Sequence, residues 1–321
     1  MIEHLKLNSS PVQIIEFNQL KFYIKRDDLL EQYFSGNKAR KLHYFLEKDF
    51  PQIKRMISYG SVQSNSLLSM AALAELKNWQ LEFYVHNIPK WLYDKPIGNY
   101  AQALKFGVKV IPWSSEDKNN VFSSVNDFIE NKTKDLLEDT LFIPEGGHCE
   151  QAQFGIKKLA SEIESYCTKE KIEQLLIMLP SGTGTTALFL NSFLRHLDLE
   201  LSVFTCACVG DDNYLKKQFN KLSNNLKDWP TILPINKPSS KRKYHFGKLY
   251  KEHYELWLDL KHQTSIEFDL LYDPIGWRCL LDYLEESPQK NVLYIHQGGL
   301  IGNESMLARY KRKLCISEDT A

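Results

Sequence analysis

The sequence predicts an α/β fold of two open, twisted, mainly parallel sheets with helices on both faces. Three observations lead to it. Short apolar runs alternate with helix-length segments from residue 21 onward, the βαβ pattern of parallel sheets. Several of these runs stop at loops rich in glycine, serine and threonine, the place where doubly wound sheets hold their ligands. The chain of 321 residues, 43% of them hydrophobic, suffices for about two domains with sizeable cores. We read residues 1–42 with 147–321 as a large unit and residues 43–146 as a smaller α/β unit.

Lys plus Arg and Asp plus Glu are 40 each, so no net field draws the chain to nucleic acid or a membrane surface, and a small-molecule partner is expected. Of the six cysteines only Cys206 and Cys208 are close together, and they are expected to point to opposite faces of a strand or to act as small hydrophobes. Zinc spacing is absent, so no metal is expected. No charged start with an apolar core follows the first residue, and no apolar run reaches the roughly 20 residues that span a bilayer. The expectation is a cytoplasmic protein with reduced thiols.

Taken in order, Lys21 to Arg26 sets Phe22 and Ile24 against Lys21, Tyr23 and Lys25, as a half-buried strand does. It runs into Arg26-Asp27-Asp28-Leu29, whose acidic pair caps a turn or pairs with Arg26. The stretch Ser35-Gly36-Asn37-Lys38-Ala39-Arg40-Lys41-Leu42 then delivers Lys38 onto the first turn of an amphipathic helix ending near Phe50-Pro51. Lys38 and Lys41 share a face, which could hold an aldehyde and a phosphate. A lysine at its free pKa of about 10.4 is a poor nucleophile, and burial or neighbouring cations make it usable for Schiff-base chemistry. A solvated basic helix end is the competing reading of the same residues.

Arg55 to Tyr59 is a short strand, followed by Gly60-Ser61-Val62-Gln63-Ser64-Asn65-Ser66 and a helix from Leu67 to Leu76. Such a loop offers hydroxyls, amides and N–H groups to an anion, while Ser64 and Asn65 are equally good N-caps. Leu81 to His86 and Gly107 to Pro112 read as strands around a helix from Gly98 to Phe106, and Ser114 to Asp139 reads as a polar helical stretch. Leu141 to Pro144 leads into the turn Glu145-Gly146-Gly147-His148 before a helix from Glu150 to Tyr166, with His148 a turn or cap residue.

Gln174 to Leu179 is a continuous apolar strand, as a central parallel strand should be. It feeds Pro180-Ser181-Gly182-Thr183-Gly184-Thr185-Thr186 and a helix from Ala187 to Leu197, where glycine N–H groups, threonine hydroxyls and a helix N-terminus form a phosphate cup. No lysine follows the last glycine and Ala187 takes the third glycine position, so dinucleotide binding is a minor alternative. Leu201 to Val209 is a strand, Asp211 to Leu226 a polar helix, and Lys237 to His245 a solvated basic loop. Ile266 to Leu271 and Val292 to His296 read as further strands, delivering Tyr272-Asp273-Pro274-Ile275-Gly276-Trp277-Arg278 and Gln297-Gly298-Gly299 to the same crevice.

Together, Lys25-Arg26-Asp27-Asp28, the Ser35 to Leu42 stretch, Gly60-Ser61-Val62-Gln63-Ser64-Asn65, Pro144-Glu145-Gly146-Gly147, Ser181-Gly182-Thr183-Gly184-Thr185 and His296-Gln297-Gly298-Gly299 resemble the aminocyclopropane-carboxylate deaminase and D-cysteine desulfhydrase family. These are tryptophan-synthase-β-like, fold-type-II pyridoxal-phosphate enzymes. The resemblance covers nearly the whole chain in order.

It implies pyridoxal 5'-phosphate as cofactor, carried by Lys38 as a Schiff base, with Lys41 and the loop Ser181, Gly182, Thr183, Gly184, Thr185 and Thr186 around its phosphate. Asn65 would lie beside the ring's phenolic oxygen, Gln297 near the pyridine nitrogen, and Gln63, Ser64 and Asn65 around the substrate carboxylate, with Ser64 a nucleophile or base. Relatives of this class often pair as homodimers, though no stretch here marks an interface. Two departures stand out: Phe246 and Gly276 occupy positions where the deaminases carry tyrosines, and Gln297 stands where the desulfhydrases have threonine.

The expected function is therefore a lyase or deaminase of a small amino acid, foremost α,β-elimination of D-cysteine or a related D-amino acid to keto acid, ammonia and the β-leaving group. Aminocyclopropane-carboxylate deamination or racemisation is the alternative within the class. A non-catalytic pyridoxal-phosphate or amino-acid binding protein is the alternative outside it.

Overall fold

The computed structural model describes residues 7–34, 36–117, 119, 121–236 and 244–315. Ser35 and residues 237–243 of the expected basic loop lie outside them.

Among the described residues ten strands form two sheets. The larger contains β1 (Val12–Phe17), β2 (Leu20–Arg26), β7 (Gln174–Ser181), β8 (Glu200–Ala207), β9 (Thr231–Leu233) and β10 (Val292–His296), in the order β1-β2-β10-β7-β8-β9. The smaller contains β3 (Arg55–Tyr59), β4 (Gln80–Val85), β5 (Lys109–Pro112) and β6 (Thr140–Phe142), in the order β5-β4-β3-β6. Every pairing is parallel except β1 with β2. The helices are α1 (Gly36–Glu47), α2 (Asn65–Lys77), α3 (Lys90–Asp94), α4 (Gly98–Lys105), α5 (Trp113–Glu116), α6 (Val125–Lys132), α7 (Gln153–Glu170), α8 (Thr185–Leu194), α9 (Asp212–Leu222), α10 (Lys251–Thr264), α11 (Asp273–Glu286) and α12 (Asn303–Leu314). No helix among the described residues is long and apolar enough to cross a membrane.

Burial follows from the topology. From Leu175 on, β7 is buried at every position because both faces of a central parallel strand are covered. One face of the large sheet packs under α10, α11 and α12 through Phe22, Met178, Trp257, Trp277 and Tyr294, and the other under α7 and α8 through Ile156, Leu159, Ile177 and Leu188. The small sheet has its own core on α2, including Met56, Leu67, Met70 and Phe83.

Three expectations are corrected. Ile266 to Leu271 is not a strand but an irregular buried segment. Side chains satisfy its main chain instead of a ladder: Leu270 N–H donates to Asn303 Oδ1 at 2.7 Å, Asp269 N–H to Asp273 Oδ2 at 2.9 Å, and the N–H groups of Leu271 and Tyr272 to Asp269 Oδ1 at 2.8 and 2.6 Å. Among its described residues the polar stretch Ser114 to Asp139 holds the short helices α5 and α6 in place of one long one. It breaks where the Asp117 carboxylate accepts from the N–H groups of Val121 and Phe122, and resumes where Ser124 caps α6. Cys206 and Cys208 lie on one face, their Sγ atoms 3.8 Å apart, because residues two apart in a strand point the same way. They act as buried small hydrophobes, as expected.

Helix α1 is fixed from below by charge. Arg40 is buried and grips two carboxylates with its guanidinium fork: Nε and Nη2 donate to Asp27 at 3.0 and 2.8 Å, and Nη1 and Nη2 to Glu162 of α7 at 2.6 and 2.7 Å. Lys25 Nζ adds a 2.6 Å bond to Glu162 and Ser10 Oγ donates to Asp27 at 2.5 Å. The acidic pair after β2 thus divides: Asp28 pairs with Arg26 at 2.7 Å, as expected, and Asp27 with Arg40. Gly155 is required for the contact, since a Cβ there would meet the Arg40 carbonyl oxygen at 2.0 Å.

Removing Arg40 leaves Asp27 and Glu162 without their shared counter-charge. Arg40→Ala is expected to lower unfolding free energy by about 3–5 kcal/mol, read as a fall in the urea midpoint at unchanged m.

Candidate active site

The carboxyl ends of the strands open into one cleft. Its walls come from the start of α1, the start of α2, the turn after β6, the loop from β7 into α8, the turn before α11, and the residues after β10. Of the residues singled out in the sequence, Lys38, Lys41, Ser64, Asn65, Ser181, Gly182, Thr183, Gly184, Thr185, Thr186 and Gln297 all line it. Gln63 does not. Its carbonyl oxygen accepts from Asn99 Nδ2 at 3.0 Å, and Ser66 takes a place on the wall.

Lys38 brings an amine to the cleft wall. Burial lowers its pKa from 10.5 to about 8, against the opposing pull of Asp269 and Glu145, so the free amine is available near neutral pH. Its Nζ lies 3.2 Å from Asn37 Oδ1. Lys41 follows one turn later; burial, then the neighbouring Lys38 charge, holds its pKa well below the ordinary value. Lys41 Nζ donates to the Gly146 carbonyl at 2.9 Å and to Thr183 Oγ1 at 3.3 Å, which ties α1 to the β7–α8 loop.

That loop gathers glycines, hydroxyls and a helix N-terminus on the cleft wall. Gly184, at φ +73°, turns the chain so that Thr185 opens α8, and a Cβ on it would lie 2.4 Å from the Phe219 ring. Thr183 and Thr185 hydroxyls stand 3.0 Å apart, and His148 Nδ1 lies 2.9 Å from Thr185 Oγ1. Burial, then the charge of Lys41, lowers the His148 pKa to about 4, so a neutral ring braces the cup and His148 is more than a turn residue. The Thr186 hydroxyl is buried with no partner among the described residues. Opposite, Ser64 caps α2 by accepting from Leu67 N–H at 3.1 Å, and the buried Ser66 hydroxyl is unpartnered. Ser64 caps a helix, as expected, and also lines the cleft.

The sequence assigned no role to Asp269 or Tyr214 on the wall, and it placed the loop carrying Tyr272 and Asp273 at the crevice without giving either residue a part. Asp269 lies in the segment read as a strand; burial raises its pKa to about 6, while main-chain N–H groups, Asn65 and Lys38 hold the charged form. Asp273 accepts from Tyr294 Oη at 2.7 Å. Tyr214 and Tyr272 bring phenols. The Tyr272 hydroxyl would be 3.5 Å from a Cβ on Gly182, and its pKa is raised strongly by burial, then by Asp269. Phe246 packs against the Tyr272 ring at 5.0 Å. At Gly276 a Cβ would meet Tyr294 Oη at 2.6 Å. The side chains next to these two positions are Tyr272, in the cleft, and Tyr294, buried beneath it. An aromatic one residue before Asp273 was the available signal. Gln297, expected near a ring nitrogen, donates its Nε2–H to the Pro180 carbonyl at 2.7 Å and so stiffens the junction of β7 and β10.

No family model matches the chain. Among solved structures it superposes on an aminocyclopropane-carboxylate deaminase homologue with TM-score 0.72, 20% identity and coverage of 97% of this chain and 94% of that one. A solved threonine deaminase gives TM-score 0.59 and 14% identity over 91% and 92%. This is the fold-type-II architecture, with the lysine and anion cup in one cleft. In sequence the chain is 23% identical over 309 residues to a Thermotoga maritima protein named for 1-aminocyclopropane-1-carboxylate deaminase, covering 93% of this chain and 96% of that one. It is also 23% identical over 300 residues to the bifunctional D-cysteine desulfhydrase/1-aminocyclopropane-1-carboxylate deaminase of Arabidopsis thaliana, covering 89% and 74%. The resemblance carried by the motifs, to the aminocyclopropane-carboxylate deaminase and D-cysteine desulfhydrase family, therefore extends along nearly the whole chain, and the expectation of pyridoxal 5'-phosphate agrees with it.

Gly184→Ala forces a side chain into a left-handed turn and against Phe219. It is expected to lower stability by about 1–3 kcal/mol in chemical denaturation.

Proposed function

We propose that this protein is a pyridoxal-phosphate-dependent lyase of a small amino acid, with α,β-elimination of D-cysteine or a related D-amino acid as its reaction. The products would be a keto acid, ammonia and the β-leaving group. The observation that carries the reading is the pairing of an amine at pKa about 8, Lys38, with the Ser181–Thr186 cup in the same cleft. The residues fit the cofactor. A phosphate would meet the unpartnered Thr186 hydroxyl, the loop N–H groups and the start of α8, with Lys41 beside them. A carbonyl carbon would meet Lys38. When bound, the cofactor supplies an electron sink for the substrate α-carbon.

The chain's own residues do the rest. The start of α2, with Ser64, Asn65 and the free Ser66 hydroxyl, binds and orients the substrate carboxylate. Asn65 is held for this by Asn99 Nδ2, which donates to its Oδ1 at 2.7 Å, and by Asp269. Lys38 would hold the cofactor's carbonyl carbon and, as a free amine, would take the proton from the substrate α-carbon. Tyr272 keeps its phenolic proton at neutral pH and can hand it to the departing β-substituent. A second reading, deamination of aminocyclopropane carboxylate, is favoured by this same phenol, since ring opening also needs a positioned acid.

Purified protein mixed with pyridoxal phosphate should develop a visible absorbance band that Lys38→Ala lacks, and borohydride should fix the cofactor on the peptide carrying Lys38. Capture should rise with pH and be half-maximal near 8 rather than 10.5, because the folded state favours the neutral amine. Wild type with D-cysteine should release sulfide and pyruvate together; a band without sulfide from D-cysteine or ammonia from aminocyclopropane carboxylate would defeat both readings. Tyr272→Phe should lower kcat by about 10²–10⁴ with the absorbance band intact, the range for loss of a general acid.

A further inference from the structure

We infer that the substrate's side chain carries no negative charge, and that Glu145 sets this selectivity. The inference rests on the proposed reading and narrows it. Among the described residues Lys38 and Lys41 are the cations on the cleft wall, and no arginine or histidine joins them. Both are committed, Lys38 to the carbonyl and Lys41 to Gly146, Thr183 and the anion cup. The substrate α-carboxylate is served separately by the start of α2, where the buried Ser66 hydroxyl awaits an acceptor. An anionic side chain would find no further cation.

The remaining wall charges are acidic, and they differ in how they are satisfied. Asp269 accepts from the N–H groups of Leu271 and Tyr272 and from Asn65, and Asp273 accepts from Tyr294 Oη and Asp269 N–H. Both are consumed in building the turn before α11. The Glu145 carboxylate accepts no hydrogen bond from a described residue. It stands at the cleft beside Gly60, where a Cβ would lie 3.1 Å from its Oε1, and its charge faces Lys38. Once Lys38 is joined to a carbonyl, that opposing charge is weakened and the Glu145 carboxylate lacks a partner. A half-buried carboxylate without a protein partner repels an anion and favours a cationic or hydrogen-bond-donating group. Tyr214 and Tyr272, both neutral, complete this wall without adding positive charge.

The test uses the protein loaded with pyridoxal phosphate and reads binding from the change in its absorbance, with three amino acids of similar size in both enantiomers. These are 2,4-diaminobutyrate, asparagine and aspartate, carrying a cationic, a neutral and an anionic side chain. Wild type should bind diaminobutyrate and asparagine with apparent Kd at least about tenfold below that for aspartate. Glu145→Gln, which keeps the shape, should retain the absorbance band and close the gap to about twofold, and Glu145→Lys should reverse it. Aspartate binding as tightly as the other two, or a gap unchanged in Glu145→Gln, overturns the inference. A missing absorbance band in wild type would instead overturn the cofactor reading, and the inference with it.

Discussion

The ion network around Arg40 is the constraint on which the site depends. Lys38 is useful only if α1 holds it at a fixed height inside a cleft that would otherwise expel a charge, and α1 has few ways to be held. Its apolar side, through Ala39, Leu42 and Phe45, packs into the core of the smaller sheet. Its polar side is bound to β2 and α7 by Asp27, Glu162 and Lys25. Such buried charges gain little net stability, since desolvation offsets most of the attraction. What they supply here is direction: a bidentate fork fixes the rotation of a helix about its axis, which apolar packing alone does loosely. Two residues before Arg40, Lys38 is thereby aimed into the cleft.

A second constraint works against the first. Burial that makes Lys38 a free amine near neutral pH also makes its charged form unfavourable, so the folded state gives up stability below about pH 8 and regains it as pH rises toward the unfolded value of 10.5. Asp269 and Glu145 soften this penalty without abolishing the shift. Their own pKa values move the opposite way because the same burial disfavours their ionised forms. The cleft is therefore a set of groups whose pKa values are displaced from their ordinary ones, with the loss met by packing elsewhere in the fold.

Much of this was legible in the sequence because the chemistry restricts residue types. A lysine after a glycine turn, a serine–asparagine pair opening a helix and a run of glycines and threonines after an apolar strand each have few other uses in combination. What stayed hidden depended on tertiary contacts. The segment 266–271 has the composition of a strand, and only the arrival of Asn303 and the Asp269–Asp273 turn shows that its main chain is satisfied otherwise. Misreading it concealed Asp269. The edge strands β1 and β9 were missed for a different reason, since Val12–Phe17 leaves Ile14 exposed and Thr231–Leu233 spans three residues, too little for a period to register. The Arg40 network was invisible because its members lie at positions 10, 25, 27, 40 and 162.

Asn303 has a consequence for how natural variation in this protein should be read. Its one side-chain amide serves both strand-like main-chain directions of the 266–271 segment, accepting from Leu270 N–H and donating to the Phe268 carbonyl and to Glu267. It lies off the cleft wall and well downstream of the segment it supports, so a screen of variants would sort it with the bystanders. An allele altered there would nevertheless behave as a lesion of the cleft, because the turn carrying Asp269 and Tyr272 would lose its support while the residues that touch substrate remained unchanged.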